Sequence, residues 1–147
     1  MSRPTRRTAL LGLGGLLLGA LLLAGCGPTG ATVPNAAPAT LVPVRGSTVQ
    51  KVVLTPLAAQ RLILTTTPVR EAGGRAEVPI TAVIYDPAGR SWTYVPDGAL
   101  SYLRHPISIL RYDGDTAVLS QGPAAGTPVV VVSAPELLGA EYGVGEE

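Results

Sequence analysis

The single cysteine of the chain, Cys26, is the residue whose chemistry the sequence specifies most closely. It follows Leu23, Ala24 and Gly25 at the end of an apolar run, residues 9–24, that contains no charged residue. Three arginines precede this run, namely Arg3, Arg6 and Arg7. A basic start, an apolar stretch and small residues at its end are the parts of a secretory signal peptide. The sequence therefore predicts a signal peptide over residues 1–25.

The order Leu23-Ala24-Gly25-Cys26 resembles the bacterial lipobox. That resemblance implies that the Cys26 sulfur is diacylated and that Cys26 becomes the first residue of the mature protein. Two or three acyl chains hold a protein stably on a membrane, whereas one holds it only marginally. We therefore expect the acyl chains on Cys26 to insert into membrane lipid and to anchor the protein at the extracytoplasmic face of the cell membrane. The alternative is an uncleaved anchor, although the apolar run is shorter than the roughly 20 residues that a spanning helix needs.

The net charge and the cysteine content limit the partners and the covalent links that the mature chain can have. The full chain has eleven basic and ten acidic residues, so loss of the three leader arginines leaves eight against ten, a net charge of −2. Such a chain offers no basic stripe for nucleic acid, which is therefore not an expected partner. Because Cys26 is the only cysteine, no intramolecular disulfide can form, and the hydrophobic core alone must stabilise the fold.

The other residues that could carry chemistry occur singly. His105 is the only histidine, and a catalytic triad or a zinc site needs further partners around it. The segment Asp113-Gly114-Asp115 predicts a tight turn, since a calcium loop needs more oxygen ligands in order. Ser120 and Ser133 lie outside a Gly-x-Ser-x-Gly elbow. We therefore expect no enzymatic activity, no metal site and no cofactor.

The rest of the chain divides into a linker and one β domain. Residues 26–47 are rich in Ala, Pro and Thr, which predicts a semi-extended linker behind the acylated Cys26. Residues 48–147 contain short apolar segments between turns rich in Gly, Pro and Asp, a spacing typical of a small β-barrel or sandwich. Thr55 as N-cap and Pro56 at the first helical position predict a short helix, and residues 135–138 predict a second helical turn. The predicted fold class is mainly β.

Three features of the β domain carry sharper predictions. Residues 100–112 alternate as one long strand that Pro106 bulges or places at a sheet edge. The four consecutive valines at residues 129–132 predict a strand covered on both faces. We interpret four aromatic residues as core and cross-strand pairs, the alternative being that some of them anchor a partner. These residues are Trp92, Tyr94, Tyr102 and Tyr112.

Several segments, taken in order, resemble one protein family. Residues 54–56 and 59–62 read LTP and AQRL, residues 78–95 read VPITAVIYDPAGRSWTYV, residues 102–109 read YLRHPISI, and residues 117–130 read AVLSQGPAAGTPVV. They are similar to segments of HlyD-type periplasmic adaptors, which are the membrane fusion proteins of RND efflux pumps. In the same order, the adaptor patterns are L-T-x-E-x-x-x-x-L-G-I-x-T, VP-x-x-A-V to V-Y-V, F-x-R-x-x-V-x-V and V-x-I-x-x-G-L-x-x-G-D-x-V-V. Gly122 and Gly126 match the two glycines of the last pattern, whereas Pro123 and Thr127 depart from its leucine and acidic residue.

The matched patterns belong to the membrane-proximal β domain of those adaptors. A full adaptor carries a β-barrel, a lipoyl-like domain and a helical hairpin between its early and later strands, and here residues 69–78 close that gap directly. The resemblance thus implies a truncated adaptor-like module, accessory to a transport or efflux system, with a transporter permease as partner. The alternative is a stand-alone envelope lipoprotein that binds a small ligand or an envelope component.

Overall fold

Residues 37–144, which the computed structural model describes, form eleven strands and two helices. The helices are α1 (Pro56–Leu62) and α2 (Ala134–Glu141). The strands are β1 (Ala39–Pro43), β2 (Gln50–Leu54), β3 (Thr65–Pro68), β4 (Arg70–Ala72), β5 (Arg75–Pro79), β6 (Ile84–Tyr85), β7 (Ser91–Pro96), β8 (Ser101–Pro106), β9 (Ser108–Asp113), β10 (Thr116–Gln121) and β11 (Pro128–Val132). A single 3₁₀ turn over Ile80–Ala82 interrupts the apolar run before β6.

The strands pair antiparallel in three sheets. One sheet has the order β1-β2-β8-β7-β6, the second has the order β4-β5-β10-β9, and β11 pairs with β3 in the third. The fold is therefore mainly β and sandwich-like, as the turn spacing predicts. The sheets of the described residues do not close on one another, so the barrel alternative is wrong.

Two hydrophobic cores lie beneath these sheets. The first joins the five-stranded sheet to both helices, and its buried residues include Val52, Leu54, Tyr94 and Leu137. The second lies under the four-stranded sheet and the 3₁₀ turn, and its buried residues include Val69, Val78, Ala82, Ala117 and Leu119.

Strand β11 connects the two cores. Val130 is fully buried in the first core, and its neighbour Val129 is fully buried in the second. Successive side chains of a strand point to opposite faces, so apolar residues are needed at consecutive positions here. The prediction that the valine run is covered on both faces is confirmed for Val129 and Val130, whereas Val132 is 45% exposed.

The segment predicted as one long strand is two strands in different sheets. β8 ends at Pro106, β9 starts at Ser108, and Ile107 between them is buried in the second core. The Ile107 N–H donates to the Ser91 carbonyl at 3.1 Å, and the Ser91 hydroxyl donates to the Ile107 carbonyl at 2.8 Å. Pro106 has no N–H with which to continue the ladder, so the chain changes sheets at this point.

The predicted boundary between linker and β domain is wrong. β1, at Ala39–Pro43, lies within residues 26–47 yet pairs along its whole length with β2. It is an edge strand, where proline is tolerated because one side of the backbone faces away from the sheet. Proline content therefore did not distinguish an edge strand from a linker. Residues 1–36 and 145–147, which include the predicted signal peptide, Cys26 and the last residues of the acidic tail, lie outside the described residues.

The structure confirms the predicted start of α1 and extends the predicted second helical turn at both ends, to Ala134–Glu141. The Thr55 hydroxyl accepts the Ala58 N–H at 3.2 Å and Pro56 opens α1, as predicted. α1 ends at Leu62, because its C-cap residue Ile63 has a φ of 48°, which lies in the left-handed region. α2 is longer than the predicted turn because it buries both Ala134 and Leu137 against the first core.

Candidate functional site

The two ends of the five-stranded sheet carry different surfaces. At one end, which we call the linker end, the Pro38 carbonyl accepts the Thr55 N–H at 2.9 Å, and Leu54 pairs with Leu100. Because the strands are antiparallel, Tyr85, Ser91 and Pro106 lie at the opposite end, which we call the tyrosine end. About six residues of strand separate the two ends, a distance of about 20 Å. The segment that leads from Cys26 therefore joins the domain beside the start of α1.

A buried carboxylate, Asp86, organises the turn between β6 and β7. Its Oδ1 accepts the backbone N–H groups of Ala88 and Arg90 at 3.0 and 2.9 Å. Its Oδ2 accepts Nε of Arg90 at 2.7 Å and Nε1 of Trp92 at 3.1 Å. Burial by itself would raise the pKa of Asp86, but the hydrogen bonds from Arg90 and Trp92 and the Arg90 charge together hold that pKa below its ordinary value.

Arg104 links this turn to the C-terminal helix. Its Nη1 lies 4.0 Å from Oδ2 of Asp86, and its Nε lies 3.0 Å from Oε1 of Glu141 in α2. The second contact is an ion pair without hydrogen-bond alignment, so Nε has no hydrogen-bond partner among the described residues. The guanidinium stacks 4.5 Å from the Trp92 ring centroid and donates to the Tyr142 hydroxyl at 3.3 Å. All three ionised side chains of this cluster are at most 7% exposed, so their charges are weakly screened.

The second oxygen of Glu141 is held by Tyr94. The Tyr94 hydroxyl donates to Oε2 of Glu141 at 2.6 Å. Burial, the hydrogen bond to Glu141 and the negative charge of that carboxylate raise the pKa of Tyr94 far above its ordinary value. Asp86 and Glu141 are thus engaged by neighbouring donors, and the arrangement fixes α2 to the sheet. We assign this charge cluster a structural role.

Exposed aromatic side chains meet at the tyrosine end. The Tyr85 and Tyr112 hydroxyls are 2.5 Å apart, which joins β6 of the first sheet to β9 of the second. Both side chains are 52% exposed, and Leu110 in β9 is 54% exposed. The hydrogen bond to Tyr85, with some desolvation, raises the pKa of Tyr112 to about 12, so the Tyr112 hydroxyl keeps its proton at physiological pH. We call Tyr85, Leu110 and Tyr112 the tyrosine surface.

The predicted core role of the four aromatic residues holds for most of them. Trp92 and Tyr94 are buried in the first core and Tyr102 packs against it, whereas Tyr112 is half exposed. The core interpretation is therefore wrong for Tyr112, and the alternative of a partner anchor fits its position. Tyr112 pairs with the fully buried Ala117, but it lies on β9, an edge strand of its sheet. The sequence does not indicate which strand lies at an edge, so it could not distinguish Tyr112 from the buried aromatic residues.

An open depression of about 370 Å³ lies between the β4–β5 hairpin and the loop after β10. Glu71, Arg75 and Gln121 line it together with the backbone around Gly122. Its charged walls differ from the mostly apolar lining of a typical small-molecule site, although its volume falls in the usual range of about 300–1,000 Å³.

The singly occurring candidates are dispersed over the fold. His105 is a half-buried residue of β8 opposite Thr93, and the turn at Asp113-Gly114-Asp115 joins β9 to β10 as predicted. The Ser120 and Ser133 hydroxyls donate to the carbonyls of Ser108 and Leu62. Among residues 37–144 no group of three or more His, Cys, Asp or Glu side chains could hold a metal ion. Within the same residues no helix is long and apolar enough to cross a membrane.

Comparison with known proteins gives no relative for this fold. The sequence matches no protein-family model, and neither curated proteins nor solved structures gave a match.

Proposed function

We propose that this protein is a lipid-anchored extracytoplasmic interaction module that acts beside a membrane transport or efflux system and has no enzymatic activity. The anchor in this proposal is acylated Cys26, and the partner is a transporter permease. The proposal combines the lipobox-like sequence with the adaptor-like order of segments, and the conformation of those segments supports it.

The observation that carries the proposal is the backbone at three positions of the adaptor-like patterns. Gly126, the second glycine of the late pattern, has φ of 83°, which glycine adopts readily and other residues rarely do. A Cβ at Gly122, the first glycine, would lie 2.6 Å from Cδ1 of the buried Leu119. In the early pattern the glycine falls at Ile63, whose φ of 48° is also left-handed. At the places where the patterns have glycine, Gly126 and Ile63 thus have left-handed backbone, and Gly122 leaves room for the Leu119 side chain.

The tyrosine surface supports a protein partner. Tyrosine is enriched in the energetically dominant parts of protein interfaces, because it offers a large apolar area and a polar tip. Tyr85 and Tyr112 hold each other through their hydroxyls, so their rings are ordered before a partner binds. Preorganised side chains lose less conformational entropy on binding. We infer that the permease contacts this surface.

The depression beside the β4–β5 hairpin favours the alternative, a stand-alone envelope lipoprotein. Glu71 and Arg75 would offer a carboxylate and a guanidinium to a small polar ligand or envelope component. The two functions use different surfaces of the domain, so variants of Tyr112 and of Arg75 distinguish them.

The anchoring is tested by fractionating cells that express the chain or its Cys26→Ser variant. We expect the first in the membrane fraction, with a diacylglyceryl group on Cys26 in the mass spectrum of its N-terminal peptide. The serine variant should lack that modification and retain its leader. An unmodified Cys26 in a processed, water-soluble chain would contradict the anchoring.

The accessory role is tested by deleting the gene and restoring it with the chain or with a Tyr112→Ser variant. We expect the deletion to change export or drug tolerance, the full chain to restore the original profile, and the Tyr112 variant to restore it in part. An unchanged profile in the deletion strain would contradict the accessory role. Restoration by Tyr112→Ser together with failure of an Arg75→Ser variant would favour the ligand-binding alternative.

A further inference from the structure

The exposed side of α1 has an unusual composition for a surface helix. Leu57 is 56% exposed and Ile63, at the C-terminal end of the helix, is 72% exposed. Gln60 and Arg61 lie on the same exposed side, since residues three and four positions apart are neighbours on a helix. Ile63 lies six residues after Leu57, which is about 9 Å along the helix axis at 1.5 Å per residue. We call Leu57, Arg61 and Ile63 the α1 surface.

Ile63 is held outward in a strained conformation. Its φ of 48° places a β-branched side chain in the left-handed region, where such a residue is a clear outlier. The residues on both sides of Ile63 are held in place: Leu62 and Leu64 pack against the first core, and the Leu62 carbonyl accepts the Ser133 hydroxyl at 2.5 Å. Strained residues of this kind cluster at functional sites, and here the strained residue is also the most exposed large apolar residue near α1.

The linker places this surface close to the lipid anchor. The Pro38 carbonyl accepts the N–H of Thr55, the N-cap residue of α1. Pro38 lies only twelve positions after Cys26. Twelve residue steps span at most about 40 Å when fully extended. A domain tethered to acylated Cys26 therefore keeps the start of α1 within this distance of the bilayer.

The charge near the α1 surface suits an anionic membrane. Arg61 is basic, and none of the neighbouring exposed residues Leu57, Gln60 and Ile63 is acidic. Lys51 is paired with Asp97, whereas Arg61 is an exposed residue of the α1 surface itself. Exposed apolar side chains with an adjacent cation are the composition that binds the interface between headgroups and acyl chains.

We propose that the α1 surface docks on the lipid bilayer, with Leu57 and Ile63 entering the headgroup region and Arg61 contacting anionic lipid. This inference rests on the proposed anchoring through Cys26 and adds a second, weaker membrane contact. The tether raises the effective concentration of the bilayer at α1, so a surface this small is sufficient. Docking would direct the tyrosine surface, at the other end of the sheet, away from the membrane.

The test places a fluorophore at one position of the full chain. Acylation occupies Cys26, so an introduced cysteine is the only free thiol. Gln60→Cys puts the label on the exposed side of α1, and the matched control, Thr48→Cys, puts it in the exposed turn between β1 and β2, at the tyrosine end. The labelled protein is extracted in mild detergent and reconstituted in vesicles of phosphatidylcholine and phosphatidylglycerol that contain a quencher attached to lipid.

We expect lipid-borne quenching to be at least about threefold stronger at position 60 than at position 48, because an interfacial surface enters the bilayer by about 5–10 Å. Adding Leu57→Ser and Ile63→Asn to the Gln60→Cys chain should bring quenching down to the control value. Omitting phosphatidylglycerol should weaken it. Near-ultraviolet spectra of the buried Trp92 check that each variant is folded.

Equal quenching at positions 60 and 48 would overturn bilayer docking. In that case, crosslinking from position 60 to a protein in cells would assign the α1 surface to a protein partner. The mass of the N-terminal peptide is measured on the same samples. An unacylated Cys26 would contradict the proposed anchoring. The docking surface is then decided by quenching at position 60 in a Cys26→Ser chain, where the introduced cysteine is again the only thiol.

Discussion

At the scale of single residues, the backbone conformation of Ile63 destabilises the folded state while its side chain is exposed to solvent. Its left-handed backbone disfavours a β-branched side chain, whereas asparagine adopts this region far more readily. We therefore expect Ile63→Asn to stabilise the fold by about 1 kcal/mol. Urea denaturation measures the change, with Ile63→Val as the control that keeps the strain. A stability equal to or below that of the unchanged chain would show that Ile63 is not strained.

Asp86 makes the stability depend on pH in the acidic range. Its folded-state pKa lies below the ordinary value of 3.8, so the folded state favours the charged form. The stabilisation is complete above that ordinary value and is lost as the pH falls through the lower folded-state pKa. Asp86→Asn should therefore lower stability at neutral pH and flatten its decline below about pH 4.

This prediction is checked by thermal unfolding of both chains over a series of pH values, followed through Trp92 fluorescence. Asp113→Asn is the matched control, because Asp113 is exposed in a turn and forms only a surface ion pair with Arg111. A similar acid-dependent decline in the Asp86→Asn chain and the unchanged chain would contradict the role of Asp86.

At the scale of elements, the attachment of α2 depends on one buried cation. Arg104 contacts both Asp86 and Glu141, and its removal would leave two buried carboxylates without their shared partner. We expect Arg104→Leu to destabilise the fold by about 3–5 kcal/mol. Arg111→Leu removes an arginine from an exposed pair and should cost at most about 1 kcal/mol.

The two arginine variants are compared by chemical denaturation and by hydrogen exchange of the α2 amide groups. We expect faster exchange in α2 with Arg104→Leu and unchanged exchange with Arg111→Leu. Equal effects of the two substitutions would show that the charge cluster does not hold the helix.

Short sequence patterns predicted where helices and turns lie better than they predicted which segments contact each other in the fold. Thr55-Pro56 fixed the start of α1, and the turn at Asp113-Gly114-Asp115 was evident from residue types alone. The break at Ile107 depends on hydrogen bonds to Ser91, which lies sixteen residues earlier. The charge cluster joins Tyr94 to Glu141 across forty-seven residues. Contacts at this separation leave no periodic pattern in the sequence, so the cluster and the half-exposed Tyr112 emerged only from the fold.

At the scale of the whole molecule, we propose that the two ends of the domain bind different partners. The linker end carries the α1 surface, beside the segment that leads to Cys26. The tyrosine end carries Tyr85, Leu110 and Tyr112, about 20 Å away along the strands. A tethered domain with one end on the bilayer would hold the other end at a fixed height, where a permease segment above the membrane could meet it.

The measurement that tests this account most directly is photo-crosslinking in cells from position 112. A photoreactive amino acid replaces Tyr112 in one strain and Arg75, at the depression, in a control strain. We expect mass spectrometry to identify a membrane permease crosslinked through position 112 and absent from the position 75 sample. Capture of no permease through position 112, from a chain present in the membrane with acylated Cys26, would contradict the proposed function.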